Sequence, residues 1–534
     1  MRPLLILVFY VCSCLGPARA PSADKAVVQV SEPGDAFQRG LTALKENRLE
    51  DAFTELSTAE REHPDDARVH NFRGILLVRM SKFAEAASEY QEANRLDPLL
   101  EDAYRNLGFL RWTEHELGPA RESLEHALKL SPEDLFAHYY LGRVELDAER
   151  YDQAFHELEL SHQPVPDDPT FLVQAATGYL ALGRLESARN SLAQLMNLSL
   201  SEGQSIHVAS LLLTAHENDS AISLLKKLNS THSPPGETWA AFDLALAYLL
   251  SRNYEEAAEQ AHVYADARGV GHPDPQTWSL MGIAYAHLNR EERSLNAFRQ
   301  AANLAPAEEE YWLNLTRELM ELNRYPEAMT AVQSGLAASP KSYALHLRLG
   351  ATFLAAGRYA EAENVFRELV AAGDPLPTGY VGLAQVLLRT GRAQEAASEL
   401  GDAEKTLGRQ FLLSYFRGLA LDRAGKPLES VAAFREAVQL NSKSAEAHLN
   451  LGKMELAASH LNEAIAELQF TLRLNPGDRQ AKRLLSQAYR RAGDTKNAEK
   501  FAEASREDPV ANEDSLVGDF IVPQWQTPPK VPKK

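Results

Sequence analysis

Three residue types recur along this chain in fixed phase. Gly40, Gly74, Gly108 and Gly142 stand 34 residues apart. Ala52, Ala86, Ala120 and Ala154 follow them by twelve residues, and Pro64, Pro98, Pro132 and Pro166 by twenty-four. A lock of that kind marks one supersecondary unit per period. It leaves little room for a few conventional domains. The 534 residues read instead as a stack of small units, each needing its neighbours to bury an apolar face.

The spacing within a unit is helical. With the Gly set at position 8, positions 4, 7, 8 and 11 share one stripe at 3.6-residue spacing, and 20, 24 and 27 share another. Gly or Ala at 8 and Ala at 20 let two helices approach closely, and Pro at 32 stops the second helix. Unit three carries Tyr104, Leu107, Gly108, Ala120, Leu124, Ala127 and Pro132. Unit eight carries Trp278, Gly282, Tyr285, Phe298, Ala301 and Pro306, and unit thirteen Leu451, Gly452, Ala464, Leu468 and Pro476. These residues resemble the tetratricopeptide repeat. Departures are small side chains: Thr316 and Ser486 at position 8, Ser294 and Ser430 at position 20. The resemblance implies an all-α fold, an α-solenoid of helix–turn–helix units wound as a right-handed superhelix.

Position 8 falls at 40, 74, 108, 142 and 176, and again at 282, 316, 350, 384, 418, 452 and 486. Between these blocks Ala209 and Ala245 take the place, with steps of 33, 36 and 37. Fourteen units result: units 1–5 over 33–200, units 6–7 over 201–275, and units 8–14 over 276–512. The extra residues lie near Ser233-Pro234-Pro235-Gly236 and Val270-Gly271-His272-Pro273. Units 6–7 keep the pattern poorly, which reads either as a bend or as drift with the same packing.

Outside the repeats little remains. Arg2, the apolar run Leu4–Val11 and Ala18-Arg19-Ala20 have the parts of a secretory signal peptide over 1–20, followed by a linker over 21–32. The run is too short to span a bilayer as a helix. Both cysteines, Cys12 and Cys14, lie in it, so cleavage after Ala20 leaves a chain without thiols, as suits an oxidising compartment. The expected location is therefore exported, periplasmic or secreted, in a bacterium. Val11-Cys12-Ser13-Cys14 also resembles a lipobox; in that alternative the protein is a membrane-anchored lipoprotein held at Cys14. The Pro-rich residues 513–534 read as a flexible tail, in which Phe520, Ile521 and Trp525 are unusual.

A second stripe carries the candidate site. Positions 2, 5, 9 and 12 share a face of the first helix, which in the resembled family lines the partner-binding groove. An exposed helix face should be polar. Here it carries Ile75 and Val78, then Phe109 and Trp112, then Phe136 and Tyr139, with Asn71, Arg105, Asn106 and Arg143 beside them. Rigid apolar anchors with amides and guanidiniums suit peptide binding. The alternative is that these side chains fill the interior of the superhelix. Asn106, Asn314 and Asn450 form part of the position-6 asparagine ladder of other family members, interrupted by Phe72, Tyr140 and Arg348. In unit fourteen the face is polar, with Gln480, Arg483, Gln487 and Arg490, as a terminal unit requires.

No phosphate-cradling loop, nucleophile elbow or H-E-x-x-H is present. His156 and His162 have no third ligand nearby in sequence, so no metal and no cofactor is expected. The chain is expected not to be an enzyme. The net charge of −19 moves to −21 once Arg2 and Arg19 are removed, which favours neutral or basic protein and peptide partners and disfavours nucleic acid. Two functions follow: a non-catalytic scaffold for protein partners, in envelope assembly, secretion or polysaccharide export, or an accessory protein binding a carbohydrate or peptide directly.

Overall fold

The computed structural model describes residues 34–164, 166–231, 239–268, 274–373 and 376–507. The expected signal peptide, linker and tail, and most of the two irregular central segments, lie outside the described residues. The described residues form twenty-eight α-helices and no strand, an all-α solenoid of helix pairs. They fall into two compact parts that divide between His232 and Ser233, inside the irregular stretch 201–275.

The first part holds α1 (Asp35–Lys45), α2 (Leu49–Glu62), α3 (Ala67–Arg79), α4 (Phe83–Leu96), α5 (Glu101–Thr113) and α6 (Leu117–Leu130). It continues with α7 (Leu135–Asp147), α8 (Tyr151–Leu160), α9 (Pro169–Ala181), α10 (Leu185–Leu195), α11 (Glu202–Thr214) and α12 (Asn218–Thr231). The second part holds α13 (Trp239–Leu250), α14 (Tyr254–Arg268), α15 (Pro275–His287), α16 (Glu291–Leu304), α17 (Glu309–Glu321), α18 (Tyr325–Ala338), α19 (Tyr343–Ala355) and α20 (Tyr359–Ala371). It ends with α21 (Thr378–Arg389), α22 (Ala393–Leu407), α23 (Phe411–Arg423), α24 (Pro427–Leu440), α25 (Ala445–Ala457), α26 (Leu461–Leu474), α27 (Arg479–Arg491) and α28 (Thr495–Glu507). Many first helices start on a capping side chain: Asp66, Asp134, Asp168, Ser342 and Asp478 each accept a backbone N–H of the opening turn.

Each unit is closed by one contact. The site where a position-8 glycine would carry its Cβ is already filled by the position-24 side chain. That Cβ would lie 2.8 Å from Leu56 at Gly40, 2.5 Å from Leu124 at Gly108, and 2.6 Å from Phe298 at Gly282. The serines that break the pattern are accommodated by hydrogen bonds across the same crossing. Ser294 and Ser430 at position 20 donate to the carbonyls of Gly282 and Gly418, at 3.0 and 2.8 Å. Ser486 at position 8 donates the other way, to the carbonyl of Ala498 at 2.7 Å. Unit nine exchanges bulk: Thr316 faces a smaller Val332, and Gly335 leaves room for Trp312, whose Cγ would be 2.8 Å from a Cβ there.

The turn inside each unit is constant in geometry and variable in sequence. Position 15 has positive φ in all fourteen units, from Asn47 at 57° through Glu149 at 57° and Arg252 at 61° to Gly493 at 84°. The series keeps the irregular steps, at Gly183, His216, Arg252 and Asn289. The following N–H then reaches five residues back, as from Arg48 to the carbonyl of Ala43 at 2.8 Å, which satisfies the end of the first helix.

Position 4, expected to be Trp or Tyr, is histidine in four units, and three of these, His346 being the exception, share one arrangement. His70 is flanked by the Glu89 carboxylate at 2.7 Å from Nδ1 and the Pro64 carbonyl at 3.1 Å from Nε2. His138 repeats this with Glu157 and Pro132, and His448 with Glu467 and Ser442. Trp312 donates its indole N–H to the Pro306 carbonyl at 3.0 Å, so the imidazole Nε2 replaces the indole nitrogen and Nδ1 adds a second tie. At His70 the Pro64 carbonyl only accepts, so Nε2 carries a proton, and the Glu89 carboxylate at Nδ1 favours a second one. The hydrogen bond donated to Glu89 accordingly raises the His70 pKa, against the opposing effect of burial.

A raised pKa in the folded state stabilises the fold below about pH 6.5, the ordinary histidine value, and the gain is lost as pH rises through the folded value. The His70→Phe variant should therefore be less stable than the parent at pH 6 by about 1–2 kcal/mol, and the gap should narrow toward pH 8.5. Urea denaturation at both pH values reads the difference. A gap independent of pH would show that His70 acts by shape alone.

Candidate partner-binding groove

The position 2, 5, 9 and 12 stripe of the first units becomes a groove because every first helix presents it on the same side of the pair. The groove encloses about 90 Å³ and is lined from four helices. Leu41, Leu44 and Lys45 come from α1, Asn71, Phe72, Ile75 and Arg79 from α3, Asp102, Arg105, Asn106 and Phe109 from α5, and Phe136 and Tyr140 from α7. Six of the ten residues singled out from sequence thus line one cavity, and Val78 is not among them.

The polar members have defined partners. Asn106 Nδ2 donates to Asn71 Oδ1 at 3.0 Å, and both amides are buried. Asn71 Nδ2 and Asn106 Oδ1 are left with no hydrogen-bond partner among the described residues, one donor and one acceptor of the kind an extended backbone needs. Arg105 donates to Asp134 at 2.7 Å and also to Asp102, so its charge is offset within the fold. Asp134 in turn caps α7 by accepting the N–H groups of Phe136 and Ala137. Arg79 donates to the Leu44 carbonyl at 2.7 Å, a neutral acceptor, and Lys45 is exposed at the rim. The groove lining carries three cations, Lys45, Arg79 and Arg105, against one carboxylate, Asp102, so it is locally positive in an acidic chain.

Trp112, Tyr139 and Arg143 do not line the cavity. They build an aromatic cluster next to it. Trp112 Nε1 donates to Asp147 at 2.6 Å, and Asp147 also accepts from Gln174 at 2.8 Å. The Arg143 guanidinium lies 5.1 Å from the Trp112 ring centre and 4.8 Å from that of Phe171, and it donates to the Tyr139 hydroxyl at 3.2 Å. Phe109 joins the two regions, 4.8 Å from Tyr140 and 6.1 Å from Trp112 between ring centres.

Two differences from the sequence reading have physical causes. The position-6 asparagines are bolts between units rather than a free ladder. Asn314 donates to Ser279 at 3.4 Å and Asn450 to Tyr415 at 3.2 Å, each bond reaching position 5 of the preceding unit as Asn106 does. The groove also extends into unit one, through Leu41, Leu44 and Lys45; positions 9 and 12 of that unit already carried the signal. Phe72 and Tyr140, which interrupt the ladder, line the cavity instead.

Among the described residues one group has metal-ligand reach: Glu60, His70 and Glu89. Arg73 lies between the carboxylates, 3.2 Å from Glu89 and in contact with Glu60, and supplies the positive charge a metal would bring. Among the described residues no helix is long and apolar enough to cross a membrane.

Several known proteins are similar. The BBSome complex member BBS4 of Xenopus tropicalis is 27% identical over 167 residues, which is 31% of this chain and 31% of that protein. The chain thus spans about a third of the length of the curated relative it matches. Among solved structures, the Cut9–Hcn1 hetero-tetramer of the APC/C is 12% identical with a TM-score of 0.35, covering 93% of this chain and 97% of that one. Yeast Tom70 is 15% identical with a TM-score of 0.39, covering 83% and 96%. MamA of Desulfovibrio magneticus RS-1 is 20% identical with a TM-score of 0.29, covering 30% and 92%. The tetratricopeptide-repeat family profile matches residues 37–101, 112–169, 313–377, 347–410, 415–468 and 455–512. With more than half its length matched and the helix pairs in register, the chain belongs to the tetratricopeptide-repeat family, a family of protein-binding scaffolds.

Proposed function

We propose that the chain is an exported scaffold, periplasmic or secreted, that holds a partner protein through a peptide segment laid in the groove of units one to four. The observation that carries this reading is the groove itself: Phe72, Ile75, Phe109 and Phe136 around a buried Asn71–Asn106 pair. Apolar side chains would supply affinity there and the amides would fix a backbone. The chain has no chemistry of its own in this reading; any reaction it serves takes place on a partner. The acidic excess favours neutral or basic partners at long range and disfavours nucleic acid, while the locally positive lining suits a segment bearing a carboxylate. Anchoring at Cys14 would place the same scaffold on a membrane surface.

The test is capture of partners on the immobilised chain lacking residues 1–20, compared with its Ile75→Glu and Phe109→Ala variants. A defined protein retained by the parent and lost at least tenfold by both variants, with Ile75→Glu still unfolding cooperatively, supports the scaffold. Equal retention by all three sinks the groove reading.

A further inference from the structure

Helix α27 is an electrostatic exception in this molecule. Its thirteen residues include Arg479, Lys482, Arg483, Arg490 and Arg491 and no carboxylate, in a chain of net charge −19. Arg483, Gln487 and Arg490 are exposed and follow one another at four and three residues, which places them on a single stripe. Arg483 and Arg490 have no ion pair or hydrogen bond among the described residues, whereas Lys453 on the preceding first helix is paired with Asp422 at 2.8 Å. The carboxylates at the two ends of the helix pair with neither arginine: Asp478 caps α27 through the Ala481 N–H, and Asp494 accepts from Asn497. Arg479 and Arg491 donate to the carbonyls of Ser505 and Leu456, neutral groups that leave their charge in place.

Solubility of a terminal unit needs polarity, and either sign of charge provides it. Concentrating one sign on a stripe, with no intramolecular neutralisation, is what recognition of the opposite sign needs. We propose that the exposed face of α27 docks an acidic peptide segment of a partner protein, a second contact separate from the groove of the first units. Its guanidiniums would form forked bonds to Asp or Glu side chains, with Gln487 between them for the backbone. Outside this face and the groove of the first units the chain's acidic excess repels such a segment, and the Arg483 and Arg490 variants tell the two sites apart.

The probe is a fluorescein-labelled octa-glutamate peptide, titrated with the full chain at 50 mM salt and followed by anisotropy. Saturable binding is expected, weakening as salt rises. The Arg483→Glu/Arg490→Glu variant should weaken it at least tenfold, and the Arg483→Gln/Arg490→Gln variant should weaken it less, both with parental thermal unfolding. No binding by the parent, or equal binding by the variants, overturns the proposal. Binding that emerges only after removal of residues 508–534 assigns the face to the chain's own Glu513-Asp514 stretch and overturns the partner. Tighter binding of a short single-stranded DNA than of the peptide does the same.

Discussion

Gly108→Val should destabilise the first six units by about 3 kcal/mol or more, the upper range for overpacking a core. A Cβ at Gly108 would lie 2.5 Å from Leu124 Cγ, 3.0 Å from its Cδ2 and 3.1 Å from the Ala120 carbonyl oxygen. The oxygen matters most. A leucine can rotate away, but the backbone of α6 at Ala120 moves only if the whole helix pair opens. Because each unit is held by its neighbours, opening one pair uncovers the faces of two others. Hydrogen exchange should report loss of protection spreading from α5 and α6 into α3 and α7. Gly401→Ala is the opposite control. That glycine lies inside α22 with nothing within 4 Å of a Cβ, so the variant should gain about 1 kcal/mol from helix propensity. A double variant, Gly108→Ala with Leu124→Val, imitates the exchange seen at Thr316 and Val332 and should recover part of the loss. If Gly108→Val and Gly401→Ala behave alike, the position-8 to position-24 contact is not what closes the unit.

That contact explains why so much of the fold is legible in the sequence. It joins residues sixteen apart inside one unit, so each unit must solve the same packing problem with the same small set of residues, and the solution repeats visibly. The αL turn at position 15 is equally regular in geometry, yet Asn47, His115, Glu149 and Arg252 share no side-chain feature. What they share is a backbone conformation imposed by the two helices, and identity there is nearly free apart from a cost of about 1–2 kcal/mol that glycine avoids. The site was legible as a stripe but not as a cavity. Whether Asn106 faces a ligand or a neighbour depends on how units stack, and the bonds that settle it, Asn106 to Asn71 and Trp112 to Asp147, span 35 residues. A period of 34 in the sequence carries no mark of a bond that reaches one residue further. The histidine ties are a similar case: each needs a glutamate nineteen residues on and a carbonyl six residues back, a combination visible only when both are placed around the ring.

Arg105→Leu should lower stability by about 3 kcal/mol, although sequence alone makes Arg105 a candidate for partner contact. Its guanidinium bridges Asp102 and Asp134, and Asp134 is a buried side chain that begins α7. Without Arg105 that carboxylate keeps two backbone N–H donors but loses its counter-charge inside the fold. Arg105→Lys should recover less than half of the loss, because an ammonium cannot span two carboxylates with planar geometry. Urea denaturation of the three proteins measures the order parent, lysine, leucine. Groove binding should fall in the same order, because α7 carries Phe136 and Tyr140 into the lining and depends on Asp134 for its first turn. Ile75→Glu should lose binding with a smaller loss of stability, because Ile75 is half-buried against the core of the first units and neutralises no buried charge. The two variants thus separate a residue that builds the groove from one that meets what lies in it. If Arg105→Leu keeps parental stability and still loses binding, the guanidinium belongs to the ligand and the Asp102–Arg105–Asp134 bridge is dispensable to the fold.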